Sequence, residues 1–416
     1  MDQQQLKTAR RDVLEIFEAG VSRVKGFNAV ADYLQQHALS GNFYLIAVGK
    51  AASSMSLGAF SIMEDQIVRG LVITKHDHTE DELRAYTKIT TMESDHPVPG
   101  ESSLAAGKAL IQFVQNAPAE AKFLVLFSGG ASSLMEELAD GMNLEKLAKL
   151  NKVLLSIGFD ITQMNQVRRA ISHIKGGRLA NFINGRETTA LLISDVPGDD
   201  PAVIGSGPLT PVDENINDID LPDSITSILE GVSFTPAPSQ ELFNNISTHV
   251  IATLDDAKLA AEKRARELNF SVSTHPEFME GNAEEKAAEL CQYLKDAQTD
   301  TGIHIWGGET SLMLPDNPGR GGRNQHLAAV AAREIDGCED LVFLAAGTDG
   351  TDGPTPDAGG LVDGSTLKKG QAQDMNIIDY LQAADSGSYL EKTGDLVTTG
   401  PTGTNVMDLV VALKSS

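Results

Sequence analysis

The 416-residue chain is longer than one hydrophobic core usually organises, and its 41% hydrophobic content is enough to fill two. Only 5% of the residues are aromatic and the formal charge is −25, which argues against a stacking-based nucleic-acid binder and against a protein drawn to phosphate backbones or anionic membranes. Any anionic ligand must therefore be held by local clusters of Lys and Arg.

The elements follow in order. Apolar residues Val13, Leu14, Phe17 and Val21 recur at helical spacing and predict an amphipathic helix from Leu6 to Val24. Short apolar runs at Phe43 to Val48, Leu71 to Thr74, Phe123 to Phe127 and Thr189 to Ser194 read as strands buried on both faces. Helices are predicted between them at Glu101 to Gln115 and Leu144 to Ile157, and this alternation argues a doubly wound α/β sheet. From Asp213 to Gln240 the chain turns acidic and rich in Pro, Gly, Ser and Thr, which marks a domain connection. A second block follows, with strands at His249 to Thr253, Ser271 to Thr274, Ile303 to Trp306, Leu341 to Ala345 and Leu409 to Leu413. Its helices are predicted at Asp255 to Leu268, Ala283 to Lys295 and Asn324 to Ile335. Two α/β domains, 1–240 and 241–416, are expected, with a ligand cleft between them. Cys291 and Cys338 have no Cys-x-x-Cys spacing, and neither an apolar leader nor a run of about 18 apolar residues appears. A soluble, cytoplasmic protein is expected.

Five segments carry candidate chemistry. Gly49-Lys50 follows a strand, where a turn glycine and a cation beside a helix start converge on one anion. Ser128-Gly129-Gly130-Ala131-Ser132 follows another strand and interleaves hydroxyls with glycine, which suits either a carboxylate or phosphate ligand or plain helix capping. Arg168, Arg169, Lys175 and Arg178 place four cations within eleven residues, with Gly176-Gly177 breaking the helix. Asp195 stands where a buried strand ends, a frequent position for general bases and metal ligands, while Asp199 and Asp200 read as turn residues and Gly205-Ser206-Gly207-Pro208 follows. The fifth block holds Gly307-Gly308-Glu309, Arg320-Gly321-Gly322-Arg323-Asn324 and Gly347-Thr348-Asp349-Gly350-Thr351-Asp352. Glycine lets backbone N–H groups reach phosphate oxygens, Arg323 opens a helix, and Glu309, Asp349 and Asp352 are candidate carboxylates for a common Mg²⁺. No Gly-x-x-x-x-Gly-Lys-Ser/Thr segment occurs, so an ordinary P-loop is excluded. His96, in Asp95-His-Pro-Val-Pro, is a candidate site-lining residue.

Taken together these stretches, with Asn165-Gln-Val-Arg, Ile174-Lys-Gly-Gly-Arg-Leu-Ala, Ile193-Ser-Asp-Val-Pro-Gly-Asp-Asp, Gly321-Gly-Arg-Asn-Gln and Thr399-Gly-Pro-Thr-Gly-Thr-Asn, resemble the glycerate 2-kinases whose C-terminal half is called the MOFRL domain. The resemblance runs from about residue 6 to 413. It implies a Rossmann-like N-terminal domain, a MOFRL-type α/β C-terminal domain, and an ATP- and Mg²⁺-dependent enzyme converting D-glycerate to 2-phosphoglycerate in the interdomain cleft. It further implies Lys50 and Arg323 as catalytic, with Asp195 orienting or deprotonating the acceptor hydroxyl. Under this reading Ser128, Gly129, Gly130, Ser132, Arg168, Lys175 and Arg178 bind substrate. Gly49, Gly307, Gly308, Gly321, Gly322, Asn324, Gly347, Thr348 and Gly350 bind nucleotide, and Asp195, Glu309, Asp349 and Asp352 hold the metal. The segment Arg168 to Ser172 lacks a histidine often seen in the family, and His326 stands where an acid is more usual, which leaves open another small 2-hydroxy acid as acceptor; phosphorylation at the 3-hydroxyl is a separate alternative. A hydroxypyruvate reductase is the alternative, but no Gly-x-Gly-x-x-Gly lies between a strand and a helix. A ligand-binding protein without catalysis is a third reading. Nucleic acid and membrane are not expected partners, and a homodimer is the candidate assembly.

Overall fold

The computed structural model describes residues 1–156, 159, 161–212, 216 and 220–415; the predicted helix end Ile157 and the start of the predicted connection, Asp213, lie outside them. The chain forms two compact units, one of residues 26–251 and one of residues 1–25 with 252–416. This division differs from the predicted one at 240/241 in two respects. The strand predicted from His249 joins the first sheet, and the first helix joins the second unit.

The first unit is built on a six-stranded sheet of β1 (Phe43–Val48), β2 (Ile67–Lys75), β3 (Ile89–Ser94), β4 (Lys122–Phe127), β5 (Thr188–Ile193) and β6 (Ile246–Ala252), in the order β3-β2-β1-β4-β5-β6. Strands β3, β2, β1, β4 and β5 pair in parallel. The central strands are buried on both faces, as their unbroken apolar runs require. The order reverses between β1 and β4. In open α/β sheets, ligands bind outside the carboxyl ends of the strands at such a switch point, and Gly49-Lys50 and Ser128-Gly129-Gly130 leave the sheet there.

The second unit carries β7 (Val272–Met279), β8 (Gly302–Gly308), β9 (Leu341–Gly347), β10 (Gly359–Asp363), β11 (Leu396–Val397) and β12 (Asp408–Lys414), in the order β11-β10-β9-β12-β8-β7. This sheet is mixed. Strand β12 runs antiparallel between β8 and β9, β10 is antiparallel to β9 and to β11, and β7 is parallel to β8. Strand β10 escapes sequence reading because it opens on Gly359-Gly360, yet a Cβ on Gly359 would collide with the Ala345 carbonyl, so the glycine permits close strand approach. The helix Arg323–Glu334 lies on β9 and β10 and is buried from Asn324 through Ala332, which explains its run of small and apolar residues.

The N-terminal helix Gln3–Val24 belongs here because its buried face of Val13, Ile16, Phe17, Val21 and Val24 packs on β9, β12 and the helix Leu254–Glu267. Gly20 makes the approach close, since a Cβ there would lie 2.9 Å from the Ala257 carbonyl oxygen. Arg10 on the same helix pairs with Asp363, with Asp395 at 2.8 Å, and with the Leu361 carbonyl at 2.8 Å. Both carboxylates are fully buried, with Lys369 as their other cation. Arg10→Ala removes one side of a buried ion pair and is expected to destabilise this unit by about 3 kcal/mol, read as a lowered midpoint in urea unfolding. An unchanged midpoint would show that Lys369 alone suffices.

Candidate active site

In the first unit, the site begins with a close approach of two strand ends. Gly49 has φ +137°, and a Cβ on it would collide with the Ser128 hydroxyl, so only glycine fits. The Lys50 N–H donates to the Gly129 carbonyl at 2.9 Å, the Ser128 N–H donates to the Val48 carbonyl at 3.1 Å, and the Ala51 N–H donates to Ser128 Oγ at 3.0 Å. The Ser128 hydroxyl thus ties the two turns together. Gly130 also has positive φ, +83°, and a Cβ there would sit 2.9 and 3.0 Å from His96 Cδ2 and Nε2 and 3.4 Å from Lys50 Cγ. Lys50, His96 and Gly130 therefore share one space. Asp195 is half-buried two residues beyond the end of β5, the strand next to β4. Asp199 occupies a left-handed turn position, and Asp200 accepts the Ala202 N–H at 2.8 Å, in keeping with their reading as turn residues.

The basic stretch is a correction to the sequence reading. Lys175 is buried against Glu136, whose other oxygen accepts the Ser172 hydroxyl at 2.6 Å. Arg178 donates to the Thr235 carbonyl at 2.7 and 3.0 Å and to the carbonyls of Lys175 and Gly176. Arg168 donates to Asn151 Oδ1 at 3.0 Å, with burial pulling its pKa down, and Arg169 donates to the Ala202 carbonyl at 2.7 Å. These cations brace loops, because buried backbone carbonyls and a buried carboxylate need donors.

In the second unit, Asp408 opens β12 directly between Gly308 and Gly347. Arg323, the first residue of its helix, grips the Asp408 carboxylate with two bonds of 2.6 and 3.1 Å and reaches Glu309 at 2.6 Å. Burial disfavours the guanidinium charge, but Asp408, Glu309 and Asp352 outweigh it and raise the Arg323 pKa. Asp352 caps the same helix, accepting the N–H groups of Asn324 at 3.1 Å and Gln325 at 2.8 Å; Gly322 has no side chain to obstruct it. Arg320 is spent on Asp357 and Glu391, both at 2.6 Å.

Some predicted ligand groups turn out to be packing devices. Gly307 faces Leu254, Gly308 lies against the Met279 backbone of β7, and Gly350 would collide through a Cβ with the Gly400 carbonyl. The Thr348 hydroxyl donates to the Met407 carbonyl at 2.6 Å and accepts the Val406 N–H at 2.9 Å. The expected set of Glu309, Asp349 and Asp352 around one metal is not formed, and no group of three or more His, Cys, Asp or Glu suited to a metal occurs among the described residues. Asp352 is committed to the helix start and Glu309 to Arg323. Asp349 and Asp408 do converge, since a Cβ on Gly347 would lie 3.4 Å from an oxygen of each and 2.9 Å from the Thr351 carbonyl, with Asp408 held by Arg323 and Asp349 Oδ1 accepting the Thr351 N–H at 2.9 Å. Two carboxylates and a carbonyl make a hard donor set of the kind Mg²⁺ accepts alongside phosphate oxygens. Sequence reading missed Asp408, although an acid opening the apolar run Leu409 to Leu413 was its signal.

Each unit thus ends in a glycine-rich polar sheet edge with a cation beside it, the architecture of an α/β enzyme. Comparison with known proteins agrees. The family described as "Domain of unknown function (DUF4147)" matches residues 12–222, and the MOFRL family matches residues 302–408. The D-glycerate 2-kinase of Thermotoga maritima is 35% identical, with 98% of this chain and 99% of that one covered. A putative hydroxypyruvate reductase of Agrobacterium vitis is 32% identical over 89% of this chain and 98% of its own. The crystal structure of glycerate kinase from Thermotoga maritima superimposes with a TM-score of 0.85 at 33% identity, covering 98% of this chain and 100% of that one. The chain belongs to the MOFRL-domain glycerate 2-kinase family.

Asp352 generates a pH test. Burial lifts its carboxyl to about 7, and the Asp408 charge adds to the rise, while the Gln325 and Asn324 amides and Arg323 pull it back. A carboxyl whose folded pKa exceeds its unfolded value adds stability at low pH and loses it as pH rises through the folded pKa. Between about pH 4, where the unfolded carboxyl titrates, and about pH 7, wild-type stability should therefore fall relative to Asp352→Asn, measured by urea unfolding at each pH. Parallel pH profiles for the two proteins would contradict this.

Proposed function

We propose that this protein is an ATP- and Mg²⁺-dependent glycerate 2-kinase, which transfers a phosphoryl group to D-glycerate and releases 2-phosphoglycerate and ADP. The observation that carries the reading is family membership along almost the whole chain, joined to a cation at each of two glycine-rich sheet edges, Lys50 and Arg323. Phosphoryl transfer depends chiefly on positioning and on neutralising charge on the transferring oxygens. Lys50 leaves β1 at the switch point and supplies one positive charge. Arg323, held by Asp408 and Glu309, supplies another with little reorganisation. Asp195 orients the acceptor hydroxyl and takes its proton. The amides of Gly129 and Gly130 and the hydroxyl of Ser132 hold the acceptor, and the backbone amides of Gly321 and Gly322 hold nucleotide phosphate.

Mg²⁺ bound with ATP would offset phosphate charge, and Asp349 and Asp408 beside Gly347 are the residues that would hold it. The reductase reading is weaker, because β1 leads into Gly49-Lys50-Ala51-Ala52 and not into a dinucleotide fingerprint.

The reaction is tested by ADP release with D-glycerate, ATP and Mg²⁺, with the product identified by phosphorus NMR. A metal-dependent 2-phosphoglycerate signal is expected; 3-phosphoglycerate would correct the position, and no ADP would sink the assignment. Lys50→Ala and Arg323→Lys should each lower kcat by roughly 100-fold or more while the circular dichroism spectrum stays that of the wild type. Unchanged turnover in either variant would remove that residue from the chemistry.

A further inference from the structure

We infer that Ser206, paired with Ser132, holds the carboxylate of the hydroxy-acid acceptor, an assignment that rests on the kinase reading of the same sheet edge. Ser206 Oγ and Ser132 Oγ are 2.9 Å apart. Ser132 lies two residues beyond Gly130, whose open side faces His96 and Lys50, and Gly205 packs on the same turn, its Cβ position 3.2 Å from Ala131 Cβ. The hydroxyl pair therefore belongs to the switch-point edge that carries Lys50.

The backbone at Ser206 indicates a role for its side chain. Gly205, Ser206 and Gly207 form three consecutive left-handed residues, with φ of +57°, +64° and +59°. Glycine is the natural occupant of that region, and both neighbours are glycine, so the hydroxyl is what serine adds at the cost of strain. The Ser206 amide is used within the turn, donating to the Val203 carbonyl at 2.9 Å.

A rigid brace keeps the loop in this shape. The Gly176 N–H donates to the Ser206 carbonyl at 2.9 Å and the Gly177 N–H donates to the Gly207 carbonyl at 2.7 Å. Lys175, next to these amides, is locked on Glu136, and Ser172 fastens both Glu136 and the Lys175 amide. A fully buried ion pair thus positions a hydroxyl that itself has little access to water. One O–H of the pair is consumed in the mutual bond and the other remains to donate, which matches a carboxylate oxygen and leaves the acceptor hydroxyl for Asp195.

The test is calorimetric binding of D-glycerate, without nucleotide, to wild type, Ser206→Gly and Ser132→Ala. Losing a hydrogen bond to a charged group should raise the Kd by roughly 10- to 100-fold in both variants. Mg-ADP binding should change by less than about twofold, as for any group that does not touch nucleotide. Ser206→Gly keeps the left-handed turn accessible and should melt no lower than wild type; if it fails to fold, Ser132→Ala decides alone. An unchanged D-glycerate Kd in a folded variant would overturn the assignment. Wild type that binds D-glycerate without phosphorylating it would sink the kinase reading but leave the Kd comparison standing, whereas wild type that does not bind it would end both.

Discussion

A carboxylate taken out of water must be paired with a cation or with several N–H groups, because its lost hydration otherwise costs several kcal/mol. This chain, already at −25, buries Glu136, Asp352, Asp363, Asp395 and Asp408. Each is answered locally: Glu136 by Lys175, Asp363 and Asp395 by Arg10 and Lys369, Asp408 by Arg323, and Asp352 by a helix start. Three of these answers shape what the units can do. Arg10 recruits the first helix to a sheet made almost entirely from the far end of the chain. Lys175 fixes the loop that carries Ser206. Arg323 stands at the head of its helix with its orientation already determined.

That constraint identifies cations that hold the fold. In an acidic protein a cluster of Lys and Arg stands out, and Arg168, Arg169, Lys175 and Arg178 invite an anion-binding interpretation. Their partners include a buried glutamate, an asparagine and a set of backbone carbonyls. Lys50 is different in placement. It leaves the central strand at the reversal of strand order, beside two glycines whose missing side chains keep the space open. Backbone closeness at Gly49 and Gly130 is as much a part of that edge as the charge.

The mixed sheet repeats the logic with different means. Antiparallel β12 brings its first residue, Asp408, between the last residues of β8 and β9, so one acid faces two strand ends at once. Arg323 from its helix start and Asp349 from the loop after β9 then approach it, and Asp352 steadies the helix from which Arg323 projects. Charge, register and helix capping are mutually dependent here. Moving β12 by one residue would turn Asp408 to the other face and dissolve the arrangement.

Much of this was legible in the chain. Apolar runs marked the buried central strands because burial on both faces leaves no polar alternation, and Lys50, Asp195 and Arg323 became candidates because each stands at the end of such a run or beside a helix start. The strands at Ile89, Gly359 and Leu396 were not marked, the first because it is half-exposed, the second because glycine gives no propensity signal and the third because it is only two residues long. Asp408 and Ser206 were missed as site residues for a related reason: their neighbours come from segments 85 and 74 residues away. The sequence by itself determined which segments become strands and helices and which glycines, cations and acids stand at their ends, since those depend on local pattern. Only the tertiary structure decided which charges neutralise one another, because that depends on pairings between distant segments that no local spacing encodes.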